Sequence, residues 1–201
     1  MIKNLIFDFG KVLIDYDFPL FLKTIFPDNE KERLEFESLV CGEEFVRRCD
    51  LGEDAFIDLI RECQVQYPHW KEQLQDFHDR QLDAMTVEMP GMRPLLTRLK
   101  ANGYRLYGLT NWSSVVYQVI EKFDILRMMD DRLISSEELL IKPDVAIYDR
   151  LCEKFGLLKQ ECLFTDDKQA NIDGARAAGM PAVLFTDAHS YEKDLERLGI
   201  I

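Results

Sequence analysis

Hydrophobic positions along the chain change their spacing twice, and each change predicts a different kind of structure. An apolar run over 2–7 is typical of a short buried strand. From about 15 to 88 the apolar positions recur at helical spacing, and turn residues divide this segment into about four helices. From 89 onward, short apolar runs alternate with helical patterns, which favours a parallel sheet covered by helices.

The alternating segment resolves into individual elements. Helices are predicted at 92–102, 113–123, 144–155, 169–178 and 191–198, and strands at 104–109, 133–135, 162–165 and 182–185. Since the helical segment separates these from the first strand, the simplest architecture is α/β: a doubly wound, Rossmann-like parallel sheet with an all-helical cap inserted after its first strand. The predicted core comprises residues 1–14 and 89–201, and the predicted cap comprises residues 15–88.

Polar residues follow three of the predicted strands. They are Asp8 after the first strand, Thr110 and Asn111 after the strand at 104–109, and Asp166 and Asp167 after the strand at 162–165. Because the carboxyl ends of parallel strands lie at one edge of a sheet, where ligands bind, we expect these side chains to meet. Each residue taken singly is typical of a turn or helix cap, so it is their joint placement that indicates chemistry.

Two further residues are predicted at the same edge. Gly10 lets the backbone turn sharply after Asp8 and approach a ligand closely. Lys142 precedes Pro143, and because proline favours the first helical position, Lys142 is expected beside a helix N-terminus.

This set of residue types suits phosphoryl transfer. Three carboxylates in a small site take up protons or recruit a cation, and oxygen ligands without His or Cys nearby favour Mg²⁺. Thr110 and the amides after it can donate to an anion, and Lys142 adds positive charge. Asp8 is then the predicted nucleophile, which attacks phosphorus to form an aspartyl-phosphate. A two-component receiver uses similar residues, but there the paired acids precede the phosphorylated Asp, whereas here Asp166 and Asp167 come last.

The composition of the chain limits which classes of partner such a site could bind. The chain has 201 residues, a net charge of −12 and 47% hydrophobic residues, which is ordinary for a globular protein. The negative charge argues against binding to nucleic acid or to anionic membranes. Five cysteines without a C-x-x-C pair, and the lack of a signal-peptide pattern or a run of transmembrane length, predict a cytoplasmic protein with reduced thiols. We expect a monomer that binds a small phosphorylated metabolite.

Four short segments, in this order, resemble the motifs of the haloacid dehalogenase superfamily. They are Phe7-Asp8-Phe9-Gly10-Lys11-Val12-Leu13, Leu109-Thr110-Asn111, Lys142-Pro143-Asp144, and Phe164-Thr165-Asp166-Asp167 running through Asn171 to Gly174-Ala175. The resemblance covers essentially the whole chain, and the helical segment is similar to the family's C1-type cap. With Gly42-Glu43-Glu44-Phe45 and Leu51-Gly52-Glu53 in that segment, the pattern is most similar to bacterial sugar-phosphate phosphatases of the α-D-glucose-1-phosphate phosphatase kind.

The resemblance implies a role for each matched residue. The implied metal site consists of Asp8, which is also the nucleophile, the Gly10 carbonyl and Asp167, with Asp166 and Asn171 supporting them. The implied substrate-binding residues are Thr110, Asn111, Lys142, Gly10 and Lys11, of which Thr110 and Lys142 also take part in catalysis.

One position departs from the family pattern. Most phosphatases of this family carry a second Asp two residues after the nucleophile as general acid and base, but here that residue is Gly10. Because general acid–base help is typically worth ~10²–10⁴-fold, its loss should lower the rate. Asp15, Asp17 or a water on the metal are candidate replacements. A good leaving group, such as the anomeric oxygen of a sugar 1-phosphate, needs less protonation.

Two alternative functions stay open. A 2-haloacid dehalogenase would use Asp8 to attack carbon without a metal or an acid, but it would have no use for Asp166 and Asp167 as a metal pair. A core without its acid could instead bind a phosphorylated metabolite or a protein partner without catalysis.

The sequence also predicts where several aromatic and basic residues in or near the cap lie. Trp112 is expected at the entrance to the site, whereas Trp70 and the stripe of Phe18, Phe21 and Leu22 are expected in the packing of the cap. Arg47 and Arg48 are expected on a solvated helix face.

Overall fold

A computed structural model describes residues 1–52 and 54–201 of the chain. Glu53, which belongs to one of the quoted cap segments, lies outside the described residues. The strands of the described residues are β1 (Asn4–Phe7), β2 (Ile14–Tyr16), β3 (Met85–Glu88), β4 (Arg105–Thr110), β5 (Asp131–Ile134), β6 (Cys162–Asp166) and β7 (Ala182–Leu184). The α-helices are α1 (Phe18–Ile25), α2 (Glu30–Val40), α3 (Glu43–Leu51), α4 (Phe56–Gln66), α5 (Lys71–Arg80), α6 (Met92–Ala101), α7 (Val116–Lys122), α8 (Ser135–Glu138), α9 (Val145–Phe155), α10 (Gln169–Ala177) and α11 (Ala188–Arg197).

Five strands form the central sheet in the order β5-β4-β1-β6-β7, and every neighbouring pair is parallel. The strand β1 lies in the middle, and all four of its residues are buried, as its continuous apolar sequence predicts. This confirms the predicted α/β fold with a doubly wound, Rossmann-like parallel sheet.

Side chains of the sheet alternate between two apolar layers. On one face Ile6, Tyr107 and Phe164 pack in a cluster with residues of α9 and α10. On the other face Phe7 packs against Tyr191 of α11, with ring centroids 6.0 Å apart. Because both faces are covered, the open positions of the sheet are its edges and the ends of its strands.

Among the described residues, five α-helices, α1 to α5, lie between β2 and β3, where about four helices were predicted. Their apolar sides meet in an aromatic cluster: the Phe36 ring lies 5.1 Å from Phe26, 5.5 Å from Trp70 and 6.1 Å from Phe77 between ring centroids. Trp70 is thus part of this packing, as expected.

The prediction of purely helical structure over 15–88 is wrong at its two ends. The strands β2 and β3 pair antiparallel there and form a second, two-stranded sheet. They have three and four residues and are partly exposed, so they carry too few alternating positions to be recognised.

The segment around Lys142 also differs from the prediction. The helix α9 begins at Val145 with Asp144 as its N-cap, so Pro143 precedes the helix rather than occupying its first position. Gly174 of α10 lies against this turn: a Cβ at Gly174 would lie 2.2 Å from the Pro143 carbonyl oxygen. The absence of a side chain at Gly174 therefore lets α10 approach the turn that carries Lys142.

Among the described residues, no helix combines the length and apolar character needed to cross a bilayer.

Candidate active site

The register of the sheet brings the predicted strand ends together. Phe7 of β1 lies opposite Gly108 of β4 and opposite Thr165 of β6. The next residue, Asp8, donates its amide to the Thr165 carbonyl at 2.9 Å. Asp8 therefore follows the central strand, between the end of β4 at Thr110 and the end of β6 at Asp166.

The buried ammonium of Lys142 joins these strand ends. Its Nζ lies 3.1 Å from Asp8 Oδ1 and 2.7 Å from Asp166 Oδ2, and it donates to the Leu109 carbonyl at 2.9 Å. These three acceptors match the three protons of an ammonium group. The side chain of Lys142 is only 1% exposed, so its charge is held at this place by its partners.

Asn111 fixes the backbone of Lys142. Its Nδ2 donates to the Lys142 carbonyl at 2.9 Å, and its Oδ1 accepts from the Lys142 amide at 2.8 Å. The side chain of Asn111 is thus engaged with Lys142, whereas the prediction assigned it to a phosphate.

Both carboxylate oxygens of Asp166 are engaged by protein groups. Oδ2 accepts from Lys142, Oδ1 accepts from the Lys168 amide at 2.8 Å, and Asn171 Nδ2 lies 3.0 Å from each oxygen. Asp166 is completely buried. This position suits a residue that holds Lys142 in place.

Three carboxylates cluster at this edge. Asp8, Asp166 and Asp167 each have one carboxylate oxygen within 4.8 Å of the others. The donor atoms are all oxygen, as a hard divalent cation such as Mg²⁺ prefers, so the residues fit the predicted metal. Asp166 is taken up by Lys142 and Asn171, which leaves Asp8 and Asp167 as the better ligands.

Burial and neighbouring charges shift the pKa values of the residues in this cluster. Burial raises the pKa of Asp8 to about 6; the Lys142 charge opposes this rise and the Asp166 charge adds to it. Burial, and then the Asp166 charge, raises the pKa of Asp167. For Lys142, burial alone would lower the pKa, but the charges of Asp8 and Asp166 outweigh it and raise the pKa. One lysine thus faces three carboxylates, and a further positive charge would relieve them.

The other predicted site residues divide into two groups. Thr110 is buried at the end of β4, next to Asn111. Lys11 is not brought to the carboxylates: its Nζ lies 2.6 Å from Asp15 Oδ1 and 2.6 Å from the Tyr16 carbonyl. Its backbone has φ 59°, so it contributes to the sharp turn that follows Gly10.

The two carboxyls proposed as replacements for the missing acid are engaged elsewhere. Asp15 Oδ1 binds Lys11, whose hydrogen bond lowers the pKa of Asp15. Asp17 is the N-cap of α1 and accepts from the Leu20 amide at 2.8 Å. Asp15 is therefore ionised at neutral pH, and Asp17 is committed to its helix.

A cavity of about 410 Å³ adjoins the site. Its lining is mainly apolar and aromatic, with Tyr16, Phe18, Phe45, Phe56, Phe77 and Trp112 among its residues. Trp112 is one of the residues that line this cavity, and its expected place at the entrance to the site stays a prediction. Phe21 and Leu22 are buried in the helical packing as expected, whereas Phe18 of the same stripe contributes to the cavity wall.

Among the residues of this cavity that sequence analysis missed, Asp50 is a candidate functional residue. It lies in the last turn of α3 and lines the cavity with Phe45, Val46 and Cys49 of the same helix. A carboxyl one residue after Cys49, on an otherwise apolar helix face, was a signal in the sequence. Arg48, on the same helix, pairs instead with Asp54 at 2.8 Å.

Lys142 is expected to contribute strongly to stability. Replacing it by methionine leaves Asp8 and Asp166 buried without their cation, which is expected to cost about 3–5 kcal/mol at pH 7. Urea unfolding measures this loss. Lys168→Met, on an exposed lysine nearby, is the matched control and should change little.

Urea unfolding of Lys142→Met and Lys168→Met at lower pH tests whether buried carboxylates without a cation cause the loss of stability. A carboxyl whose pKa is higher in the folded than in the unfolded protein binds its proton more tightly in the folded state. Its charged form destabilises the folded protein at neutral pH, and protonation removes this cost as the pH falls. The cost of Lys142→Met should therefore shrink towards pH 5, and Asp166→Asn in the same chain should restore part of it. A loss equal to that of Lys168→Met would contradict this account of the cluster.

Comparisons with known proteins identify the family of the chain. The sequence profile of haloacid dehalogenase-like hydrolases matches residues 2–179. Flavin mononucleotide hydrolase 1 of Arabidopsis thaliana is 31% identical over 113 residues, which are 56% of this chain and 46% of that protein. A phosphoglycolate phosphatase of Pasteurella multocida is 31% identical over 116 residues, 57% of this chain and 52% of that protein. The chain thus spans about half the length of these relatives.

Solved structures share the fold. A HAD-like hydrolase from Porphyromonas gingivalis aligns with a TM-score of 0.79 at 20% identity, covering 98% of each chain. An alanine variant of a HAD family enzyme from Bacteroides thetaiotaomicron, in complex with magnesium and inorganic phosphate, aligns with a TM-score of 0.73 at 18% identity, covering 93% of this chain and 95% of that one. With its four motifs gathered at one edge of the sheet, and with the family profile matching most of its length, the chain belongs to the haloacid dehalogenase-like hydrolases.

Proposed function

We propose that this protein is a Mg²⁺-dependent phosphatase that transfers the phosphoryl group of a small phosphorylated metabolite to Asp8 and then to water. The observation that carries the proposal is the group at the end of β1, where Asp8 contacts Lys142 beside Asp166 and Asp167. The relatives of the chain include several phosphatases of small molecules, which supports the same class of substrate.

Asp8 is the proposed nucleophile. Among the described residues, its Oδ1 accepts from the Phe9 amide at 2.7 Å and contacts Lys142 at 3.1 Å. These contacts orient the carboxylate, so we propose that Oδ2 attacks phosphorus. The bond from phosphorus to the leaving oxygen breaks as the aspartyl-phosphate forms.

The neighbouring residues bind and orient the phosphoryl group. We propose that the Lys142 ammonium neutralises its oxygens and that Thr110 donates to them. Asn111 acts through the Lys142 backbone, which it holds by two hydrogen bonds. For Lys11, whose ammonium binds Asp15, the proposed contribution is limited to its backbone in the turn with Gly10.

Asp8, Asp167 and the Gly10 carbonyl are the proposed Mg²⁺ ligands, and Asp166 supports them through Lys142 and Asn171. Bound there, Mg²⁺ would neutralise charge on the phosphoryl group and add the positive charge that three carboxylates with one lysine lack.

Residues 15–88 are the proposed cap, and the adjoining cavity is the proposed place of the leaving group. The resemblance to sugar-phosphate phosphatases makes sugar phosphates the first class to test. The aromatic lining favours a second class, monophosphates whose leaving group has an apolar face, because polar hydroxyls buried there would lose hydrogen bonds to water. We further propose a monomer in the cytoplasm.

Phosphate release from both classes of monophosphate, with and without Mg²⁺, tests the proposed activity. We expect release that requires Mg²⁺ and falls to background in Asp8→Asn, which keeps the shape of the side chain but removes the nucleophilic oxygen. Asp17→Asn, a change at the cap of α1, should keep the activity.

Other outcomes would favour the rival functions. Chloride release from 2-haloacids without metal would indicate a dehalogenase. Binding of a monophosphate without turnover of any substrate would indicate a binding protein whose acid has been lost.

The metal site can be tested without activity, by thermal unfolding. Mg²⁺ at ~100 times its dissociation constant is expected to stabilise the folded state by about 2.7 kcal/mol and so raise Tm by roughly 5–10 °C. Asp167→Asn should abolish most of this rise. Asp173→Asn, an exposed carboxyl on α10, should keep it. A rise that survives Asp167→Asn would show that Mg²⁺ binds elsewhere.

A further inference from the structure

The turn after Asp8 has little room for the acid that most related phosphatases carry there. A Cβ at Gly10 would lie 3.0 Å from Tyr16 Cε1 and 3.9 Å from Trp112 Cζ3. Tyr16 and Trp112 both line the cavity, so a carboxyl at Gly10 would push against an aromatic wall. With Asp15 and Asp17 engaged elsewhere, the candidate proton donors for a poor leaving group are a water on the metal and a carboxyl from a different element.

Asp50 lies on the cavity side of the nucleophile. It lines the cavity together with Tyr16, Trp112 and Lys168. The charges of Asp8 and Lys142 both act on its carboxyl, and the charges of Asp8 and Asp50 both act on the Tyr16 phenol. The carboxyl of Asp50 is therefore within electrostatic range of Asp8, and it lines the cavity that we propose for the leaving group.

The end of α3 is tied to the same edge of the sheet. The Ser135 hydroxyl donates to the Asp50 carbonyl and accepts from the Trp112 amide at 2.9 Å. Gly52 then ends the helix with φ 76°, and a Cβ there would lie 2.4 Å from the Ser136 carbonyl oxygen. These contacts join Asp50 to residues that directly follow β4 and β5, so its position relative to Asp8 is defined.

We propose that Asp50 is the general acid and base of this site, in place of a carboxyl at Gly10. The proposal rests on the phosphatase function proposed above. Asp50 gives its proton to the leaving oxygen as Asp8 bonds to phosphorus and the bond from phosphorus to that oxygen breaks. The Asp50 carboxylate then takes a proton from the water that attacks the aspartyl-phosphate, which releases phosphate and restores both carboxyls.

The raised pKa of Asp50 supports its proposed action both as the acid and as the base. Burial raises its pKa to about 7; the Lys168 charge opposes the rise, the Asp8 charge adds to it, and the Lys142 charge opposes it. A carboxyl that is partly protonated at neutral pH can donate in the first step and accept in the second.

The test compares kcat/KM for two monophosphates that differ in their need for a proton. The para-nitrophenolate of para-nitrophenyl phosphate leaves as a stable anion, whereas the alkoxide of benzyl phosphate requires protonation. We expect Asp50→Asn to lower kcat/KM by ~10²–10⁴-fold on benzyl phosphate, and by far less on para-nitrophenyl phosphate. Asp50→Glu should restore part of the activity on benzyl phosphate.

Tyr16→Phe is the matched control for a rival donor. It removes the phenol that lines the same cavity, and any loss it causes should be equal on the two substrates. A loss in Asp50→Asn that is equal on both substrates, or a selective loss in Tyr16→Phe instead, would overturn the proposal.

The same assay separates this proposal from the proposed function. Hydrolysis of para-nitrophenyl phosphate by the wild-type protein, lost in Asp8→Asn, supports the phosphatase whatever Asp50 does. If Asp50→Asn does not fold, Asp50→Glu serves as the test: a longer side chain at the same place should change the ratio of the two kcat/KM values. An unchanged ratio would contradict the proposal.

Discussion

The buried ammonium of Lys142 is the interaction on which the site depends. It contacts Asp8, Asp166 and the Leu109 carbonyl, and so connects groups at or next to the ends of three neighbouring strands. Two carboxylates this deeply buried would be strongly destabilising without a cation between them. The surrounding structure serves this arrangement: Asn111 holds the Lys142 backbone, Asn171 holds Asp166, and Gly174 lets α10 reach the turn at Pro143.

The charge balance of this group explains why it suits both a metal and a phosphoryl group. Lys142 supplies one positive charge for three carboxylates, and burial together with the Asp166 charge raises the pKa values of Asp8 and Asp167 in spite of it. A divalent cation would relieve the excess negative charge, and the pair of cations would then attract a phosphate despite the net charge of −12 of the chain. The proposed site would thus bind a phosphate together with the Mg²⁺ held by its carboxylates.

Much of this arrangement could be predicted from sequence, because parallel strands place their carboxyl ends at one edge. The apolar run before Asp8 and the motif residues Thr110, Lys142 and Asp166 were enough to locate the site. What could not be predicted depends on side-chain direction: the amide of Asn111 faces the Lys142 backbone, and the Lys11 ammonium faces Asp15.

The contribution of the inserted helices was the least predictable. Asp50 is distant from Asp8 in the sequence, and the contact of α3 with Ser135 helps to hold it at the cavity. The short strands β2 and β3 were missed as well, although β2 carries Tyr16, whose ring occupies the space beside Gly10. Tyr16 thus borders both Gly10 and the cavity that Asp50 lines.

The most direct test of the account is to trap the phosphoryl group on the protein. The enzyme is mixed with para-nitrophenyl phosphate and Mg²⁺, quenched in acid during the first turnover, digested, and its peptides are analysed by mass spectrometry. The account predicts an acid-stable, base-labile phosphate on the peptide that contains Asp8, and none in Asp8→Asn. Release of nitrophenol with phosphate on another peptide, or on none at any time in the turnover, would contradict Asp8 as the nucleophile.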